Sequence, residues 1–127
     1  MNWYNMVKIS QHFEWIFPNE YSPDEYQAIV VNIDKFDNEW KNDPYYVSRG
    51  GNKIVNPIKY EVWKARYQQK GFVAKMPVVK IGDAGIGKPV MGFIDGRHRY
   101  SVYRDNGEKT IPIIVPKDQI KQFQKFV

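Results

Sequence analysis

Cysteine is missing from all 127 residues. That absence excludes a thiol nucleophile, a Cys-ligated zinc site and a disulfide framework, and it predicts a fold kept in a reducing compartment and held by its core alone. Histidine is scarce, with only His12 and His98, so a structural transition-metal centre is not expected either. No run approaches the ~18 consecutive apolar residues of a membrane span, and residues 1–8 contain no cationic stretch leading into a long apolar run. A soluble cytoplasmic protein with no membrane partner is the expectation.

Hydrophobic residues make up 43% of the chain and aromatic residues 16%, too much apolar material for a disordered segment. The length suits one compact core, so residues 1–127 are read as a single domain. The formal net charge is +5, unevenly spread. Residues 1–55 carry 5 Lys/Arg and 8 Asp/Glu, whereas residues 56–127 carry 14 and 6. An anionic partner would meet the second part; a solvated lysine-rich surface would have the same composition.

Local signals divide the chain. Ser22-Pro23-Asp24-Glu25 has the form of a helix start, and Tyr26, Ile29, Val30, Ile33, Phe36 and Trp40 follow at the spacing of one helical face. A helix over residues 23–40 is predicted. Residues 42–51 read as a loop, in which Tyr45-Tyr46-Val47 could form a short strand. Asn56-Pro57 repeats the cap-plus-proline start, and Ile58, Val62, Trp63 and Tyr67 predict a second amphipathic helix to about residue 70, ended by Gly71. Alternation around His12 suggests a strand and gives that histidine no site role.

Beyond Phe72, residues 77–81 and 89–94 are β-type runs joined by a glycine-rich stretch, which predicts a hairpin. A short helix after Gly96, ended by Gly107, should lead to a strand over residues 110–115. Pro112 there implies an edge position or a strand start. Residues 117–127, with Ile120, Phe123 and Phe126, predict a terminal helix.

Two segments could hold phosphate. Gly82-Asp83-Ala84-Gly85-Ile86-Gly87-Lys88 has P-loop spacing, but Pro89 stands where a Mg²⁺-binding hydroxyl is required and a strand follows instead of a helix. A hairpin loop is the expectation there. Phe93-Ile94-Asp95-Gly96-Arg97-His98-Arg99 is better founded: a strand delivers the chain to a tight glycine turn, and the next helix points unpaired N–H groups at an anion. Arg97 and Arg99 could grip phosphate oxygens in bidentate fashion. Alternatively, these side chains pair with Asp95, Asp105 or other carboxylates of the fold.

From Gly71-Phe72-Val73 through Met76-Pro77-Val78-Val79, the Asp95-Gly96-Arg97-His98-Arg99 turn, Tyr103-Arg104-Asp105-Asn106-Gly107 and Ile111-Pro112-Ile113-Ile114-Val115, the chain resembles the ParB/sulfiredoxin-like superfamily. The resemblance covers about residues 57–116 and leaves residues 1–55 unmatched, with 117–127 as an added helix. It implies an α/β (α+β) fold, a small mixed β-sheet flanked by helices, and nucleotide-phosphate binding at the turn. Sulfiredoxin chemistry is excluded, because its catalytic cysteine would stand at Arg97. Chromosome-partitioning members have a helix-turn-helix domain downstream, which 127 residues are not expected to include. The turn is most similar to that of the free-serine kinases, with Arg97 in place of a histidine.

The resemblance implies ATP, ADP or CTP as ligand, with Mg²⁺, and phosphoryl transfer or hydrolysis as possible chemistry. Gly96, Arg97, His98 and Arg99 would hold the phosphates; His98 and Asp95 are the catalytic candidates, and Asp95 would hold Mg²⁺ or orient His98. A base could come from Glu20, Asp24 or Glu25, although helix capping suits the last two. A nucleic-acid-binding or nuclease-type protein is the alternative, using the basic half with Trp63, Arg66, Tyr67, Tyr100 and Tyr103. A third reading is a phage-type inhibitor or adaptor of a host protein, with Trp3, Tyr4, Tyr45 and Tyr46 as anchors or as core.

Overall fold

A computed structural model describes residues 12–51, 56–83 and 85–127; Trp3 and Tyr4 lie outside them. The fold is mixed α+β. The strands are β1 (Phe13–Ile16), β2 (Tyr26–Asn32), β3 (Phe72–Lys75), β4 (Val78–Asp83), β5 (Pro89–Asp95) and β6 (Thr110–Pro116). The α-helices are α1 (Ile33–Trp40), α2 (Pro57–Tyr67), α3 (Arg97–Asp105) and the short α4 (Ile120–Phe123). Strands β1 and β3 form a parallel pair, and the other four form a sheet in the order β2-β6-β4-β5. Among the described residues no helix is long and apolar enough to cross a membrane.

The helix predicted over residues 23–40 is half a strand. The Ser22 carbonyl accepts from the N–H groups of Glu25 and Tyr26, and its Oγ accepts from that of Asp24. The cap closes one turn only, after which β2 pairs along its whole length with β6. Three consecutive β-branched residues, Ile29, Val30 and Val31, suit that ladder better than a helix. Helix α1 begins at Ile33, capped by the Asn32 side chain on the N–H of Lys35. Asp24 and Glu25 therefore face no helix N-terminus.

Asn56 caps α2 as expected, through the N–H of Lys59. The buried face differs from the expected one, however: Tyr60 and Tyr67 point inward, whereas Ile58 and Val62 are exposed. The β4-β5 hairpin is antiparallel as read. Its loop is pinned by Asp83, whose Oδ1 accepts from the N–H groups of Gly85 and Gly87. Tyr45-Tyr46-Val47 forms no strand, and the terminal segment is broken into 3₁₀ turns on either side of α4.

Pro112 lies inside β6, an interior strand, which corrects the edge expectation. The N–H of Ile114 donates to Pro77 on the β4 side at 2.9 Å, and position 112, two residues earlier, faces the same way. Only Val78 of β4 pairs with β6, at Ile114. The N–H missing from Pro112 therefore points where no ladder bond is made.

Helix α3 is the axis of the core: His98 through Arg104 are all buried. Tyr100 packs with Phe36, Trp40 and Phe93, and Tyr103 with Phe13, Trp15 and Tyr67. Arg104 is 1% exposed and bonds Asp37 at 3.0 Å, the Val47 carbonyl at 2.6 Å and Asp105 at 2.9 Å. Tyr46 and Tyr100 donate to the same Asp37 carboxylate. Burial and that bond push the Tyr46 hydroxyl up to about 12. Tyr46 is thus half-buried and packed against the core.

Candidate functional site

The strand β5 runs into Asp95 and Gly96, and α3 starts at once. Gly96 has φ +98°, and a Cβ there would lie 2.8 Å from the Arg99 guanidinium carbon and 3.0 Å from the Pro77 Cα. Only glycine fits this turn. No side chain caps the helix. Its first internal bond runs from the N–H of Tyr100 to Gly96, so the N–H groups of Arg97, His98 and Arg99 have no partner within the helix. The dipole adds positive potential there.

Successive side chains diverge by about 100° around a helix, and the three candidates go to three places. Arg99 turns inward, where its Nε donates to the Lys75 carbonyl at 2.6 Å, its Nη2 to the Met76 carbonyl at 3.4 Å, and Asp95 lies 3.6 Å away. It clamps the β3-β4 connection. Arg97 reaches to the opposite flank, over the Tyr45 ring at 5.5 Å. His98 borders the pocket between α2 and the start of α3, and so does the clamped Arg99, whose guanidinium carbon lies 5.5 Å from the Trp63 ring.

That pocket, of about 370 Å³, is lined by Lys59, Trp63 and Arg66 of α2 and by Asp95, Gly96, His98 and Arg99. His98 is 8% exposed, and its Nε2 is buried without a hydrogen-bond partner. Burial, assisted by the positive charges of Arg97 and Lys59, lowers its pKa to about 4. The imidazole is neutral at pH 7, and an unpartnered ring nitrogen in such a place costs about 1–3 kcal/mol. A bound group that paired with it would recover that cost.

Lys59 is not among the site residues expected from sequence, and Arg66 is among them only in the nucleic-acid alternative. They share a helical stripe with Ile58, Val62 and Trp63, which the sequence presents as a packing face. Arg66 lies over the Trp63 ring at 4.7 Å. Tyr67, Tyr100 and Tyr103 are buried, which removes them as stacking platforms for nucleic acid. Glu20 pairs with Lys75 at 2.6 Å on the surface, and that bond holds its carboxyl below the usual range. Asp95 is the half-exposed carboxylate at the turn. Among the described residues no three His, Asp or Glu side chains converge as a metal-binding group.

No family model matches the chain, and no curated protein matches it in sequence. Among solved structures it is similar to Oncogenic Suppression Activity Protein, a plasmid fertility inhibition factor. The TM-score is 0.55, with 14% identity over 78% of this chain and 54% of that one. The likeness is one of fold, a small mixed α+β architecture. This chain spans about half the length of that protein.

Proposed function

We propose that the chain is a nucleotide-phosphate-binding protein of the ParB/sulfiredoxin-like kind, with the phosphates of ATP, ADP or CTP seated between α2 and the N-terminus of α3. The buried, partnerless Nε2 of His98 supports this reading most directly, because His98 lines a cationic pocket beside three N–H groups that have no partner within the helix. Lys59 and Arg66 supply the neutralising charge, and Gly96 lets backbone approach the anion. In this reading the backbone N–H groups of Arg97 and Arg99, more than their side chains, meet the phosphates.

Mg²⁺ suits Asp95, since this ion commonly takes one or two protein carboxylates and completes its shell with phosphate oxygens and water. When bound, it would offset the charge of the phosphates. Positioning and charge stabilisation are the main demands of phosphoryl transfer, and a neutral His98 can donate Nε2–H to a phosphoryl oxygen. The reaction class is transfer or hydrolysis of a terminal phosphoryl group.

Calorimetric titration with ATP, ADP, CTP and GTP, with and without Mg²⁺, tests the reading. Saturable binding is expected, weakened by about 1.5–3 kcal/mol in Lys59→Ala or Arg66→Ala if each makes a charged hydrogen bond. His98→Ala should reduce turnover more than affinity. A chain that binds no nucleotide but retains short duplex DNA at about 0.15 M salt would be a nucleic-acid-binding protein instead. The likeness to a plasmid fertility inhibition factor favours a second reading, an inhibitor or adaptor, which requires a chain that binds neither.

A further inference from the structure

On the other flank of the first turn of α3 lies a separate cavity of about 300 Å³. Arg97 and Lys80 bring positive charge to it, Asp43 and Asp83 negative charge, and Val90 and Phe93 an apolar wall. Its volume is at the lower end of the range for small-molecule sites.

The hydrogen-bonding demands of its walls are unequal. Asp43 is buried, and both its oxygens are engaged: Oδ2 accepts from the Trp40 indole at 2.9 Å and Oδ1 from the Tyr45 N–H at 3.0 Å. The carboxylate is seated so closely that a Cβ on Gly92 would lie 2.9 Å from Oδ2. Asp83 Oδ1 is taken by the hairpin loop. Arg97 is the reverse case. Its Nε is buried with no hydrogen-bond partner, and among the described residues neither carboxylate forms an ion pair with it. What the cavity lacks is an acceptor for a guanidinium fork, whose geometry matches a carboxylate. Two carboxylates in the lining oppose a dianion such as phosphate more than a monoanion, while Val90 and Phe93 favour an apolar body.

We propose that this cavity is a second binding site, which takes a small monocarboxylate with an aliphatic or aromatic body, its carboxylate held by Arg97 with Lys80 and its body against Val90 and Phe93. The site does not depend on nucleotide binding next door and stands or falls separately.

The probes are phenylacetate, hexanoate and inorganic phosphate, titrated into the full chain by calorimetry or proton NMR. Saturable binding of one or both carboxylates is expected, with phosphate a poor competitor. Arg97→Gln should weaken binding tenfold or more. Gly82→Leu, which fills the cavity from a wall position with ordinary backbone angles and leaves Arg97 in place, should abolish binding, and it decides the matter if Arg97→Gln does not fold. Lys59→Ala and Arg66→Ala should bind as the parent does. The proposal is overturned if neither carboxylate binds saturably, if phosphate displaces them at equal concentration, or if Lys59→Ala costs as much as Arg97→Gln.

Discussion

Replacing Arg99 by methionine separates a clamp from a ligand. The arginine is 6% exposed and holds the Lys75 carbonyl at 2.6 Å and, more weakly, that of Met76 at 3.4 Å. Methionine keeps the apolar stem and removes the fork. One short hydrogen bond from a charged donor is worth about 1.5–3 kcal/mol, and an orphaned buried carbonyl adds to the loss. The next residue, Pro77, accepts the Ile114 N–H that starts the β4-β6 pairing, so a loosened clamp frays the sheet as well. Together these give about 2–4 kcal/mol, a large share of the roughly 5–15 kcal/mol by which domains are stable. Urea unfolding followed by tryptophan fluorescence measures it. Arg99→Lys should recover at most half of the loss, because an ammonium cannot span both carbonyls. Folded Arg99→Met should bind nucleotide within about threefold of the parent, well under the 1.4 kcal/mol of a tenfold change. Stability unchanged within about 0.5 kcal/mol together with a tenfold loss of nucleotide affinity would refute the clamp.

Three further outcomes follow from the same geometry. His98 has a folded pKa near 4 against 6.5 in the unfolded chain, so the unfolded state takes up the proton first; stability should be level above pH 6.5 and fall between 6.5 and 4. The fall is at most about 3 kcal/mol, and His98→Gln should remove that slope from a pH series of urea unfolding curves. Arg104→Met leaves the buried Asp37 without the arginine 3.0 Å from it, and its unfolding free energy should drop by about 3–5 kcal/mol. Lys88→Ala in the hairpin loop should leave nucleotide affinity unchanged in calorimetry, and a tenfold loss would make that loop the phosphate site.

Local chemistry made much of the fold legible. Asn56-Pro57 announced α2, the glycine-rich stretch before Pro89 announced the hairpin, and Gly96 announced the turn into α3, because each effect acts within a few residues. Residues 26–32 misled for a physical reason: Tyr26, Ile29 and Val30 continue the 3.6-residue period of the helix that starts at Ile33, and only pairing with β6, distant in sequence, makes them a strand. The same limit applies to the site. The Asp95–Arg99 turn was visible, but the division of Arg97, His98 and Arg99 among three environments depends on what packs around α3. Lys59 and Arg66 reach His98 only through the docking of α2 on α3, and nothing near Arg104 in sequence announces its burial against Asp37.

The seat of the phosphates is the central claim, and amide chemical shifts recorded during titration with ADP and Mg²⁺ test it most directly. The N–H resonances of Arg97, His98 and Arg99 should move saturably with a single dissociation constant, together with the His98 ring protons and the amides around Lys59 and Arg66. Shifts confined to residues 82–88, or to the surface lysines Lys117, Lys121 and Lys125, with the α3 amides unmoved, would contradict it.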